Sequence, residues 1–446
     1  MTRYIGETIA AIATPPGEGA LAVIRISGPQ ALAVADTIFS GKVIPSQTEE
    51  RRVLFGRIID AKNEILDEVL LTVFRNPRSY TGEDLVEISG HGGSLVAARV
   101  LGAALDAGAR MARPGEFTER AFLNGKLDLT QAEAVMDLIS AGTPKAARAA
   151  AAQLEGRLGE KITTLRAELI ECVAHLEAFI DFPEEGIDPE SGAALCKRME
   201  GIAAHLSLLL STANEGRLLR EGITLALCGA PNAGKSSLLN RLLGAERAIV
   251  SATPGTTRDT IEERASLGGY PFRVIDTAGL RETQDPVERE GVERARRAAS
   301  NADLQIHLVD ASDPSPALQQ LYPGEMLVLN KIDLVKDRAG LPEAVTISCR
   351  TGEGIDSLVQ AILAKVTGST GEASPDGAAI NARHQECLRR AALALNEAIV
   401  LLGAGEPPEL IAVELRSSLT AVGEVVGAAG TEEILGKIFS SFCIGK

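Results

Sequence analysis

The chain has 446 residues, with 45 Lys and Arg against 60 Asp and Glu, and a formal net charge of −15. That length calls for roughly three domains, and the acidic balance argues against a protein that coats nucleic acid by neutralising phosphates. No apolar run approaches the roughly 18 residues that span a membrane, the N-terminal stretch carries acids and prolines unlike a signal peptide, and six cysteines without metal-type spacing fit a reduced, cytoplasmic compartment.

Residues 1–120 mix short alternating strands, at 19–26 and 69–74, with an Ala-rich helix at 94–107, the pattern of an α/β domain. From Leu129 the periodicity is helical, with a break at Asp181-Phe182-Pro183-Glu184-Glu185-Gly186. Cys172 and His175 share a helical face there, but no second pair completes a metal site, and helix packing is the better reading.

An apolar strand at 223–228 then runs into Gly229-Ala230-Pro231-Asn232-Ala233-Gly234-Lys235-Ser236, and an apolar helix follows from Ser237. This is a P-loop. Glycines let successive backbone N–H groups, here those of Asn232, Ala233, Gly234, Lys235, Ser236 and Ser237, close around phosphate oxygens; Lys235 reaches the β/γ-phosphates and the Ser236 hydroxyl joins a Mg²⁺ shell. The polar stretch Ser251-Ala252-Thr253-Pro254-Gly255-Thr256-Thr257-Arg258-Asp259 stands where a GTPase carries its first switch, with Thr257 as the second Mg²⁺ hydroxyl. Asp276-Thr277-Ala278-Gly279 ends the strand at 272–275, so its carboxylate reaches Mg²⁺ through water and Gly279 approaches the γ-phosphate. Leu280 follows, where Ras-type GTPases place the glutamine that orients water. Leucine cannot hydrogen-bond water, and the loop offers Glu282, Asp285, Glu288 and Glu290 as replacements without choosing among them.

Asn330-Lys331-Ile332-Asp333 closes the strand at 326–329, and Asp333 can accept from the N1–H and amino group of guanine. Adenine offers no such pair, a mismatch that rejects it by roughly 10⁴, so the nucleotide is GTP. Ser348-Cys349-Arg350, after the strand at 344–347, is placed to close over the base with a backbone N–H. Beyond the linker at 367–377 helical patterning returns from 382 to 442. The expected fold is therefore multidomain α/β plus all-α: an N-terminal α/β domain (1–120), a helical domain in two parts (121–221 and 371–446), and a Ras-like α/β G domain (222–370) inserted between them. Cys443 is fourth from the end, but Cys-Ile-Gly-Lys lacks the aliphatic and terminal residues of a prenylation signal.

Asn232 in the P-loop, Gly255-Thr256-Thr257-Arg258-Asp259, Asp276-Thr277-Ala278-Gly279-Leu280-Arg281-Glu282 and the terminal Phe442-Cys443-Ile444-Gly445-Lys446 together resemble the MnmE (TrmE) family of tRNA-modification GTPases. So do Arg25-Ile26-Ser27-Gly28, Tyr80-Thr81-Gly82-Glu83-Asp84, Gly90-His91-Gly92-Gly93, Arg113-Pro114-Gly115-Glu116-Phe117 and Phe122-Leu123-Asn124-Gly125-Lys126-Leu127-Asp128-Leu129. The resemblance implies G domains that dimerise across their switches around a K⁺ ion held by Asn232, Ser251, Thr253 and Thr256, oxygen donors that suit a hard cation. It selects Glu288 as the residue that orients water, beside Asn232, Lys235 and Thr257 in the catalytic set. It also implies a dimerising N-terminal domain that binds a 5-formyltetrahydrofolate-type folate through Arg25, Glu87, Lys126 and Lys446. Arginine and lysine suit the folate's carboxylates, and Glu87 suits the pterin's N–H donors. The partners implied are a second copy, the flavoprotein MnmG in a heterotetramer, and tRNAs whose wobble uridine gains an aminomethyl-type or carboxymethylaminomethyl group at carbon-5, with Cys443 a candidate for that chemistry. The alternative is an Era-like ribosome-assembly GTPase, but such proteins append a basic RNA-binding domain that this chain lacks.

Overall fold

The computed structural model describes residues 6–181, 192–245, 265–276, 302–313, 325–338, 341–368, 380–428 and 432–445. It divides into two compact units, one of residues 1–136, 159–170 and 419–446, the other of residues 137–158 and 171–418.

The first unit is built on β1 (Ile9–Ile12), β2 (Leu21–Ser27), α1 (Ala31–Ile38), β3 (Phe39–Gly41), β4 (Val53–Ile59), β5 (Ile65–Phe74), β6 (Leu85–His91), α2 (Ser94–Asp106), β7 (Arg110–Met111) and α3 (Glu116–Leu123). The strands form one sheet in the order β3-β4-β5-β6-β2-β1-β7. Alternation decides which face is covered. Ile24, Ile26, Leu71, Val73, Val86 and Ile88 point to α1 and α2, where Val34, Ala35, Val100 and Ala104 close a dry core. The opposite residues of β4 and β5 stay exposed, and Phe55 and Leu70 stand directly across from each other. Two of the singled-out segments meet in an ion network. Arg120 donates to Glu83 (2.8 Å), Arg110 to Glu116 (2.7 Å), and Arg113 donates its backbone N–H to Glu116 (2.7 Å). Glu116 is only 1% exposed, and its carboxyl lies below the usual value because the hydrogen bonds of Arg110 and Arg113 outweigh the upward push of burial.

The chain continues through α4 (Leu129–Ser140), α5 (Pro144–Leu154), α6 (Arg157–Asp181), α7 (Gly192–Ser211) and α8 (Ala213–Glu221), then β8 (Ile223–Cys228), α9 (Lys235–Ala245), β9 (Ala265–Leu267), β10 (Tyr270–Asp276), β11 (Leu304–Asp310), β12 (Met326–Asn330), β13 (Val345–Thr346) and α10 (Ile355–Thr367). It ends with α11 (Ala382–Ala404), α12 (Pro408–Val426) and α13 (Glu432–Ser440). In the second unit β13-β12-β11-β8-β10-β9 form a sheet, parallel except for the edge strand β9. The carboxyl ends of its parallel strands are where an open α/β sheet binds its ligand. α7 and α11, from either side of this sheet in sequence, pack together. α8 fastens the opposite end of the sheet: Arg217 pairs with Asp303 (2.7 Å), and Glu215 accepts from Tyr270 Oη (3.2 Å) and pairs with Lys145 (3.1 Å).

Candidate functional site

β8 is buried through Ile223, Leu225, Ala226 and Leu227, so it delivers the loop after it from a fixed base. Gly234, at φ +105°, passes so near Asn330 that a Cβ would collide with its Nδ2. Asn232 takes a left-handed φ of 66°, a region asparagine tolerates better than most residues, and is exposed at the loop. Lys235 is 9% exposed, and its Nζ donates to Gly229 O (2.7 Å) and Ala230 O (3.0 Å). No carboxylate among the described residues pairs with it. A nearly buried ammonium held only by carbonyls is built to meet an anion. Ser236 opens α9 with an exposed side chain, a fit to Mg²⁺ chemistry, which takes hydroxyl and phosphate oxygens. Asp276 ends β10 opposite Leu227, level with the start of the loop. Residues 251–257, 277–280 and 288 lie outside the described residues, so Ser236 is the described member of the Mg²⁺ pair and Asn232 that of the K⁺ set.

The base end is organised by Asn330, which is 2% exposed. Its Nδ2 donates to Ala233 O (2.9 Å) and its Oδ1 accepts from Cys349 N (3.1 Å), so one side chain ties the phosphate loop to the loop at 348–352. Lys331, at φ 66°, pairs with Asp310 (2.6 Å). Burial pushes the Asp310 carboxyl up, but hydrogen bonds from Lys331 and Ser312 hold it below the ordinary value. Asp333 accepts from Ser348 Oγ (2.6 Å) and pairs with Arg350. The Ser348 hydrogen bond, with the Arg350 charge in support, keeps its carboxyl low, and an ionised acceptor is what guanine reading needs. Sequence reasoning passed over Arg241, whose Nε donates to Cys349 O (3.3 Å) and whose Nη2 donates to Arg350 O (3.1 Å). Only its position on the helix opened by Lys235 could have pointed to it.

The first unit gathers a second group. Arg25 and Glu87 are register partners on β2 and β6 and form an ion pair at 2.8 Å. The Arg25 guanidinium lies 5.5 Å from the centre of the Tyr80 ring, and its Nη1 donates to Gly445 O (3.4 Å). Burial pushes the Tyr80 phenol up against the opposing effects of Thr118 and Arg25. Tyr80 belongs to a segment visible in the sequence, yet nothing there assigned it to Arg25. The chain end docks through a Pro114–Ile444 bridge and Gly115 N donating to Cys443 O (3.3 Å), while a Cβ on Gly445 would collide with Ile12 O. Cys443 is exposed. Lys126 bonds Pro77 O (3.1 Å) and rests on Gly82, at the loop that carries Tyr80. Lys446 lies outside the described residues.

Residues 129–443 match the family model described as MnmE helical domain, and residues 8–126 that described as GTP-binding protein TrmE N-terminus. The chain is similar to the tRNA modification GTPase MnmE of Akkermansia muciniphila, 48% identical over 446 residues that cover 98% of this chain and 99% of the relative. It is also similar to the proteins of that name from Symbiobacterium thermophilum, 46% identical with 99% of each chain covered, and Geobacter sulfurreducens, 44% identical with 99% of this chain and all of the relative covered.

Proposed function

The chain belongs to the MnmE family of tRNA modification GTPases, and from that premise we propose that it is a K⁺-activated GTPase whose G domains dimerise and whose cycle serves modification of the tRNA wobble uridine. Hydrolysis of GTP to GDP and phosphate rests on one observation above the others, the nearly buried Lys235 ammonium that no described carboxylate neutralises. That charge and the loop N–H groups hold the phosphates, Asp333 selects guanine, and Ser236 with Thr257 would hold Mg²⁺, which screens the charge developing on the phosphoryl oxygens. Asn232, Ser251, Thr253 and Thr256 would hold K⁺, and Glu288 would orient the water.

In the first unit, Arg25, Glu87, Lys126 and Lys446 are read as a site for a 5-formyltetrahydrofolate-type folate beside Cys443. The fit lies in the chemistry of the described members: a cation stacked on an aromatic ring and a carboxylate acceptor side by side suit a flat, anionic pterin conjugate. Dimerisation is supported by the exposed sheet face, where Phe55 is 69% exposed opposite Leu70, with exposed Val53 two residues before it on the same strand. MnmG and tRNA complete the reading, in the cytoplasm. No described helix is long and apolar enough to cross a membrane. Domain limits at 120, 221 and 370 are part of the same proposal.

The test is GTP turnover in K⁺ against Na⁺ at equal ionic strength over a range of protein concentrations. A large K⁺-specific, concentration-dependent increase is expected. Equal rates in both salts would remove the cation role of Asn232 and with it the K⁺-activated reading.

A further inference from the structure

We propose that Arg241 is a positioning residue for guanine recognition, one that holds the 348–352 loop at a fixed height over the nucleotide site. The proposal rests on the guanine reading given above. α9 begins at Lys235 and carries Arg241 on the side that faces this loop, half-buried. The guanidinium donates to two successive carbonyls, Cys349 O at 3.3 Å and Arg350 O at 3.1 Å, and Gly352 lies against it with no side chain between. From the other side Asn330 Oδ1 takes the Cys349 N–H at 3.1 Å, and Ser348 Oγ is bound to Asp333 at 2.6 Å. The loop is therefore pinned by Asn330 and Asp333 on the site side and by Arg241 behind.

The consequence is a mechanical link between two grips. The helix that presents Lys235 and Ser236 to phosphate also carries, in Arg241, the fork that holds the loop closing over the base. The Cys349 N–H is taken by Asn330 and those of Ser348, Thr351 and Gly352 by the loop itself, which leaves the Arg350 N–H for guanine O6, and that kind of hydrogen bond weakens steeply with small errors of distance and angle. Asp333 stands on the turn after β12 and touches the loop through Ser348 and Arg350, so loss of the fork should damage O6 reading more than the N1–H and amino edge.

The experiment measures KM and kcat for GTP and for 6-thio-GTP, which replaces O6 by a poorer acceptor and leaves the edge facing Asp333 intact, in the wild type, Arg241→Ala, Arg241→Lys and Asp333→Asn. Arg241→Ala is expected to raise KM for GTP about tenfold with kcat changed less than about twofold, the scale set by losing charge-assisted hydrogen bonds. Its preference for GTP over 6-thio-GTP should fall toward one. Arg241→Lys, which can reach one carbonyl, should recover part of both. An unchanged KM and unchanged preference in Arg241→Ala, or equal loss for both nucleotides with kcat falling alongside, would overturn the proposal. Asp333→Asn keeps the two readings apart: if it still prefers GTP to ATP as the wild type does, the guanine reading itself fails.

Discussion

The nucleotide site and the Arg25 site are assembled by opposite means. The described groups of the first, at 229–236, 330–333 and 348–350, come from contiguous runs at the ends of parallel strands, so the fold has only to bring strand ends together, as any open α/β sheet does. The second joins β2, β6, the Tyr80 loop and the chain end, with Arg25 bonding a carbonyl 420 residues away. The first site is thus built from short runs of sequence, whereas the second gains its Gly445 contact only from the docked terminal segment, and the account holds that folate binding needs that segment.

The difference can be broken or sharpened by substitution. Lys235→Ala should have the largest effect, a loss of GTP affinity of at least about a hundredfold, since it removes the nearly buried ammonium of the loop; equilibrium nucleotide binding checks it, and folate binding should not change. Asp333→Asn should weaken GTP by roughly a hundredfold or more and reduce the preference over ATP, measured by competition. Arg25→Ala should lower folate affinity about tenfold to a hundredfold through loss of a charge-assisted contact, with GTP turnover intact, as calorimetry on the same sample would show.

Two smaller effects depend on pH. Asp333 has a lowered pKa in the fold, so if it reads guanine as proposed, affinity should be present above that pKa and lost as pH falls through it. Ser348→Ala removes the leading cause, and the acid limb of a GDP-binding profile should move to higher pH. His91 lies the other way. Its hydrogen bond to Asp67, ahead of the Asp67 charge, raises its pKa above 6.5, so its stabilising contribution is full below that value and lost as pH rises through the raised one. Asp67→Asn should bring the His91 titration, followed by NMR, back down.

The sequence made the nucleotide site legible because the chemistry itself demands a spacing: Gly229 to Ser236, Asp276, and Asn330 to Asp333 each follow an apolar strand, and β8, β10 and β12 stand at those places. The N-terminal α/β pattern and the helices after Leu129 were legible from periodicity. Contacts that leave no periodic trace were not. Arg241 and Tyr80 are ordinary residues until a loop folds over them, and the Glu83–Arg120 pair joins segments whose relation no spacing reveals. Family resemblance singled out Arg25 and Glu87 as folate candidates, whereas their pairing follows from the β2–β6 register, a property of the sheet.

The most direct test of this contrast is to end the chain after Ser441 and measure two quantities on the same preparation, 5-formyltetrahydrofolate binding by calorimetry and GTP turnover in K⁺. The account predicts that folate binding disappears while turnover persists. Folate binding that survives without the chain end, or turnover that falls with it, would contradict the claim that one site is local and the other assembled by the docked terminus.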